Sequence, residues 1–300
     1  MTLARVLVVG SVNMDVSVHV QHLPCAGETV PGSDATVALG GKGANQAVAA
    51  ARLGGHVHLV GCVGNDAFGQ QAKDALAFEN LDLSTLRSID SVSTGVALIT
   101  VAKNGQNMIT LSPGANARLA SSDIDKVSGL FNKAAILLLQ NEIPADVSLH
   151  AARLMRARGG LVIVDPAPAT GCDKALVGLA DLVTPNETEA TQLSGIVIRN
   201  GADALASARW FVAHGAANAI VKWGANGVVY AGQWGEGHSP APQVHAVDTV
   251  AAGDCFNGAL AVGLGEKMPF VDAIAFACRA AAVSVMRPGA SVSMPHRDEL

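Results

Sequence analysis

Residues 245–258 read His-Ala-Val-Asp-Thr-Val-Ala-Ala-Gly-Asp-Cys-Phe-Asn-Gly. A short extended run reaches Asp248, a turn of small residues follows at Ala251, Ala252 and Gly253, and Asp254 opens an apolar helical segment. A strand running through a tight turn into a buried helix is a unit of layered α/β architecture. The first turn of a helix leaves backbone N–H groups unpaired and aimed outward, so it receives an anion without help from a cationic side chain. A carboxylate directly after such a turn is placed to take a proton from an attacking hydroxyl. A capped helix with Asp254 as an ordinary first-turn acid accounts for the same residues, so the stretch alone does not decide between them.

The alternation continues in both directions. Apolar runs at Arg5–Gly10, His58–Val63, Ala135–Leu139, Leu161–Asp165, Asp181–Thr184 and Ala219–Lys222 predict strands. Helical periodicity covers Ala44–Leu53, Gly69–Glu79, Val147–Ala157, Glu187–Ser194, Ala202–His214 and Val271–Met286. Buried strands alternating with crossover helices predict a mostly parallel sheet in an α/β/α sandwich. Two places break the rhythm. Val16–Val20 with Thr36–Leu39, and Gly95–Ala102 with Asn107–Leu111, are short strands with no helix between the members of either pair. They predict a small projecting sheet, inserted at about 16–39 and 95–112 in a single domain of 300 residues. Gly227–Tyr230 and Gln243–Val247 are expected to form an antiparallel edge.

Composition narrows the function classes. Half of the residues are hydrophobic, enough for a sizeable core, and the net charge of −5 without a basic run gives nucleic-acid binding no electrostatic support. No apolar run is long enough to span a bilayer, so no membrane role is expected. The five cysteines lack CxxC spacing, and a reduced, cytoplasmic setting is the economical expectation. The nine histidines do not cluster at zinc-ligand spacing and no Gly-x-Ser-x-Gly elbow occurs, which removes zinc and serine hydrolysis.

Gly40-Gly41-Lys42-Gly43-Ala44-Asn45-Gln46 is a glycine-rich turn that opens a helix. A Walker loop needs Ser or Thr after Gly-Lys, and here Gly43 stands instead. The stretch reads as close backbone approach to a small polar ligand, with Lys42 and Asn45 as donors, or as a plain helix start with glycines for the turn. Gly10-Ser11-Val12-Asn13-Met14-Asp15 lacks the later glycines of a dinucleotide fingerprint. It sets an amide and a carboxylate at the end of the first strand, groups that suit vicinal sugar hydroxyls, though a turn-forming Asn/Asp pair reads the same way. Asn186 and Glu189 have capping-box spacing, and the same geometry would organise magnesium-bound water around a triphosphate. Glu142 is a strand-end acid, and Lys222-Trp223-Gly224-Ala225-Asn226-Gly227 is a glycine-bearing turn between strands.

Taken in order from Val6 to Met294, these segments resemble the ribokinase/phosphofructokinase-B sugar kinases, in their ribokinase branch. The match rests on Asn13 with Asp15, Gly40–Gln46, Ser112-Pro113-Gly114-Ala115-Asn116, Glu142, Asp165-Pro166-Ala167-Pro168, Asn186-x-x-Glu189 and Asp248–Asp254. The resemblance implies ATP-dependent phosphorylation of D-ribose at O5, with Asp254 as catalytic base and backbone N–H groups at 251–254 (Ala251, Ala252, Gly253 and Asp254) as the anion hole. It implies a sugar held by Asn13, Asp15, Gly41, Lys42, Asn45 and Glu142. ATP would meet Asn186, Glu189, the Lys222–Gly227 turn, Gly253 and Cys278, with Mg2+ or another divalent cation. A potassium ion would take oxygens from Asp248, Val250, Val285, Pro288, Ala290 and Met294. The projecting sheet would be a lid over the sugar that pairs with a second lid in a homodimer. Lys222, Trp223, Cys255 and Cys278 depart from residues usual in such relatives, and against them the chain ends about a helical turn early after Leu300. Two rivals stand beside this reading: a kinase of the same fold for deoxyribose, a nucleoside or another sugar, and a non-catalytic sugar-binding regulator.

Overall fold

The computed structural model describes residues 3–300. The chain begins with β1 (Arg5–Val9), β2 (Asn13–Val20) and β3 (Thr36–Gly40), then α1 (Lys42–Arg52), β4 (His56–Gly64), α2 (Ala67–Ala77) and β5 (Leu86–Ile89). The β6 (Gly95–Ala102) and β7 (Asn107–Ser112) strands follow, then α3 (Ser121–Lys126), β8 (Ile136–Gln140), α4 (Ala145–Ala157) and β9 (Leu161–Asp165). Next come α5 (Lys174–Leu179), β10 (Leu182–Val183), α6 (Glu187–Ser194), α7 (Gly201–Ala213), β11 (Asn218–Lys222), β12 (Val228–Gly232) and β13 (Gly237–Ser239). Helices α8 (Ala252–Gly265) and α9 (Phe270–Ser284) close the series.

Nine strands form one sheet in the order β13-β12-β11-β10-β9-β8-β1-β4-β5. Seven of them, β5 through β11 in that order, are parallel, and β12 and β13 add an antiparallel edge. Parallel strands are covered on both faces, and the alternation of side chains shows it. Val6 and Val8 of β1, with Ile136 and Leu138 of β8, pack among residues of α1, α2, α8 and α9. Leu7 and Val9, with Leu137 and Leu139, pack among residues of α3 to α7 on the other face. Ala44, Ala47, Val48 and Ala50 of α1 are fully buried against α8, where small side chains let the two helices approach. Asp66, Asn186 and Asn200 cap α2, α6 and α7 through their side chains, so these starts follow from polar residues placed just before apolar periodicity.

A second sheet of four strands runs β3-β2-β6-β7. The β2 strand pairs parallel with β6 and antiparallel with β3, and β7 completes the sheet beside β6. It contains the two short-strand pairs expected from sequence, but β2 starts at Asn13, so Asn13 and Asp15 lie on this smaller sheet instead of in a turn after β1. One expectation fails. Residues 243–247 form no strand, and the edge is β12 with β13, paired through Val228↔Ser239 and Tyr230↔Gly237. Pro240 and Pro242 remove ladder donors just before the expected strand. The segment instead bends toward α9, with the Val247 N–H donating to the Val285 carbonyl at 2.7 Å.

Candidate active site

The chain leaves β1 in one direction to reach β4 and β5 and returns on the other side through β8 to β11, so the crossover direction reverses beside β1. Open α/β sheets bind ligands at the carboxyl ends of strands next to such a reversal. Ser11 follows β1, Glu142 follows β8, Asp165 ends β9, Asn186 follows β10 and Lys222 ends β11, all along that edge.

Asn13, Asp15, Lys42, Asn45 and Glu142 come together there. Asn116 fixes Asn13: its Nδ2 donates to Asn13 Oδ1 at 2.7 Å, while its Oδ1 accepts from the Val12 N–H at 2.9 Å. Glu142 Oε2 accepts from Ser11 Oγ at 2.6 Å and from the Lys42 N–H at 3.1 Å, tying the β8 loop to the glycine-rich turn. Gly41 caps α1 with φ of 87°, a conformation that favours glycine, and a Cβ there would press on the Asn13 backbone. A Cβ at Gly40 would collide with the Asp15 carboxylate. The Asp15 carboxyl is pushed up to about 6, by burial first and then by Glu142 and Asp254, with Lys42 opposing. Burial disfavours the Lys42 ammonium, but Asp254, Asp165, Glu142 and Glu189 outweigh it and raise its pKa. Asn45 Oδ1 is buried and has no partner among the described residues. Unpaired acceptors, crowded carboxylates and one lysine make a pocket for a polyhydroxylated molecule, whose hydroxyls donate to the first and accept from the last.

Asp254 lies at the junction of this cluster with a larger cavity. Its Oδ2 accepts from Asn45 Nδ2 and its Oδ1 from Gln46 Nε2, each at 3.0 Å. Burial raises its pKa, and the Lys42 ammonium opposes that shift. Ala251 adopts φ of 58°, the left-handed turn from which α8 departs. The Ala252 N–H donates to the Thr249 carbonyl at 3.3 Å, whereas the Gly253 and Asp254 N–H groups find no acceptor among the described residues. The Ala251 N–H has no acceptor there either, so the free donors fall within the expected stretch 251–254, with Gly253 and Asp254 as the pair on α8 itself. The resulting pair, with the helix dipole behind it, is aimed at an anion.

The cavity of about 530 Å³ runs from Lys42 and Asp254 past Asp165, Asn186, Glu189 and Lys222 to Cys278, Ala281 and Val285. Lys222 Nζ pairs with Asp165 Oδ1 at 3.1 Å and is the nearest atom to a Cβ built on Gly253, at 3.1 Å. Asn186 and Glu189 form the full capping box, with the Asn186 N–H on Glu189 Oε2 at 2.8 Å and the Glu189 N–H on Asn186 Oδ1 at 2.9 Å. The box does not remove them from the site, since both line the cavity, and burial with Asp165 nearby raises the Glu189 pKa. Gly224, Ala225 and Gly227 line it too. Trp223 and Asn226 do not: the Trp223 ring lies over Gly201 and edge-on to His238, and the Asn226 carbonyl accepts from His238 Nε2. Burial pushes the Cys278 thiol up to about 11 despite a hydrogen bond with Ser239.

The segment 285–294 follows α9 and packs beside α1. Asp248 spans it, with Oδ1 accepting from the Val250 N–H at 3.0 Å and Oδ2 from the Gly289 N–H at 2.9 Å. The Val285 carbonyl takes the N–H groups of Val247 and Asp248, the Ala290 carbonyl takes the N–H and Oγ of Ser293, and the Met294 carbonyl takes Arg52 Nη1. Sequence reasoning gave no role to Ser11, Asn116, Gln140 or the side chains of Gln46 and Asp165. A polar residue ending an apolar run, as Gln140 and Asp165 do, is the signal that marks two of them.

The profile of the pfkB family carbohydrate kinases matches residues 3–297. Ribokinase of Haemophilus influenzae is 38% identical over 292 residues, covering 97% of this chain and 95% of that protein. The crystal structure of a ribokinase from Thermotoga maritima superposes with a TM-score of 0.90 at 39% identity, covering 100% of this chain and 98% of that one. An Arabidopsis thaliana ribokinase complexed with ribose and ATP gives a TM-score of 0.91 at 31% identity, covering 99% and 97%. On this match over nearly the whole chain, the chain belongs to the pfkB family of carbohydrate kinases.

Proposed function

We propose that the chain transfers the γ-phosphoryl group of ATP to O5 of D-ribose, with Asp254 as the general base. The observation that carries this reading is the position of Asp254. It is held by Asn45 and Gln46 between a cluster of hydroxyl-binding groups and two free N–H groups at the start of α8. The Arabidopsis thaliana ribokinase is complexed with ribose and ATP together.

In this reading Asn13, Asp15, Asn45 and Glu142 receive the ribose hydroxyls, and Asp254 takes the O5 proton as the oxygen attacks phosphorus. The Gly253 and Asp254 N–H groups receive the negative oxygens of the transferring group, and Lys42 and Lys222 balance the charge. Phosphoryl transfer asks for positioning and charge stabilisation more than for covalent help from the protein. Asn186 and Glu189, a buried carboxylate facing Asp165, fit a divalent cation that keeps most of its waters. Such a cation would neutralise charge between the phosphates. The oxygen-only set at Asp248, Val250, Val285, Pro288 and Ala290 fits the chemistry of a weakly hydrated monovalent cation. Val285 and Ala290 are its weakest members, because each of those carbonyls already accepts two hydrogen bonds, whereas the Met294 carbonyl accepts one, from Arg52.

The second sheet covers the sugar side as a lid and keeps water from competing with O5. Val37, Leu98 and Met108 are exposed on the face of this sheet opposite Asp15 and supply the apolar face through which two lids pair in a homodimer. Five free cysteines, three of them buried, suit a reducing cytoplasm. No described helix is long and apolar enough to cross a membrane. The test is a coupled ADP-release screen of pentoses, hexoses and nucleosides. D-ribose is expected to give the highest kcat/KM. A nucleoside or deoxyribose outranking it reassigns the sugar, and no turnover with any of them leaves a binding protein.

A further inference from the structure

Two buried glutamines stand behind the reacting groups. Gln46 lies on the inner face of α1 and is fully buried, and Gln140 ends β8 at 1% exposure. Gln46 Nε2 donates one hydrogen to Asp254 Oδ1 at 3.0 Å and the other to Asp165 Oδ2 at 2.9 Å. Its Oε1 accepts from Gln140 Nε2 at 2.7 Å. The orientation of this amide is forced, since a flip would turn its oxygen onto two carboxylates and its donors onto another donor. A Cβ at Gly10 would collide with Gln140, so the glycine after β1 makes the room in which that amide stands.

We propose that Gln46 is a positioning residue that holds Asp254 as an aimed, proton-free carboxylate, and that Gln140 fixes the Gln46 amide in the orientation this requires. The inference rests on the reading of Asp254 as the base.

One NH2 group bridging two buried carboxylates offsets the repulsion between them. Without it Asp254 faces Asp165 directly, and the gain from holding a proton rises. The other charged groups around Asp254 are Lys42 on α1, Asp15 on β2 and, through Asp165, Lys222 on β11. Lys42 alone of these is a cation acting directly on Asp254, so loss of the amide donors is only partly compensated. A hydrogen bond to a buried charge has a strength that corresponds to about one to two pKa units.

The experiment compares wild type with Gln46→Met, a substitution of similar length without donors, and with Gln140→Met. Two quantities are read: the acid limb of the pH profile of kcat/KM, and the carboxyl carbon resonance of Asp254 in protein labelled with 13C-aspartate, assigned through Asp254→Asn. In Gln46→Met the limb and the carboxyl titration are expected to move upward together by about one unit or more. Activity lost at neutral pH then returns in alkaline buffer, which damage to the fold would not allow. Gln140→Met is expected to move both in the same direction by a smaller amount. Activity lost equally at every pH, or an Asp254 titration that does not move in either variant, overturns the proposal. The carboxyl titration needs no turnover, so it decides the role of Gln46 even if D-ribose proves not to be the sugar. If Gln46→Met does not fold, the Gln140→Met titration decides.

Discussion

Replacing Asp15 by Asn should make the empty protein more stable and the sugar site weaker. The Asp15 carboxyl is raised from an ordinary 3.8 to about 6 by burial, then by Glu142 and Asp254. A carboxyl whose pKa rises on folding favours the fold while it carries its proton. That advantage is complete below about 3.8 and is lost as pH climbs through about 6. At about 1.4 kcal/mol per pKa unit, ionised Asp15 costs the empty fold up to about 3 kcal/mol above pH 7. Asn fills the same space without the charge. Its melting temperature should therefore exceed that of wild type by a few degrees at pH 7.5, with the gap closing toward pH 4.5. Ribose affinity should fall by about 10- to 100-fold at pH 7.5, the loss expected when a hydroxyl gives up a charged acceptor. Thermal melts without ligand and calorimetric titration with ribose measure the two effects. A variant less stable than wild type at pH 7.5, or one binding ribose equally well, refutes the reasoning.

Two further predictions follow from the cavity and the 285–294 segment. Lys222→Met should raise the KM for ATP about tenfold and leave ribose binding unchanged, since Lys222 stands beside Gly253 and Asp165 and away from the sugar cluster; steady-state kinetics with each substrate varied in turn checks it. Potassium in place of sodium, with chloride constant, should raise turnover and the melting temperature, and Asp248→Ala should abolish both responses; identical kinetics and melts in the two salts would leave Asp248 as a turn residue that ties Val250 to Gly289.

The framework was legible because its signals are local. Apolar runs such as Leu161–Asp165 and capping residues such as Asn186 carry their own structure, and α6 begins and ends where the periodicity puts it. The two short-strand pairs were recognisable because Lys103-Asn104-Gly105 makes a turn and no helix intervenes. The strand expected at Gln243–Val247 does not form, because Pro240 and Pro242 deprive the approach to it of ladder donors despite its valines. The β5 strand and helices α3 and α5 are four to six residues long, too short for either periodicity to stand out. The sugar-side residues were visible as types, but what holds them was not. Gln46 meets Asp254 across 208 residues and Asp165 across 119, and Asn116 meets Asn13 across 103. Such pairings depend on which strand ends become neighbours, which is a property of the sheet order and not of any stretch of sequence.

The central claim is that Asp254 removes the O5 proton of ribose while the α8 turn receives the phosphoryl group. Asp254→Asn keeps the volume and the hydrogen-bonding capacity of the side chain and removes its basicity. Its turnover with saturating ribose and ATP should fall by about 10² to 10⁴, the usual size of a general-base contribution, while calorimetric ribose affinity stays within a few-fold of wild type. A variant that keeps more than about a tenth of the wild-type kcat would contradict the account.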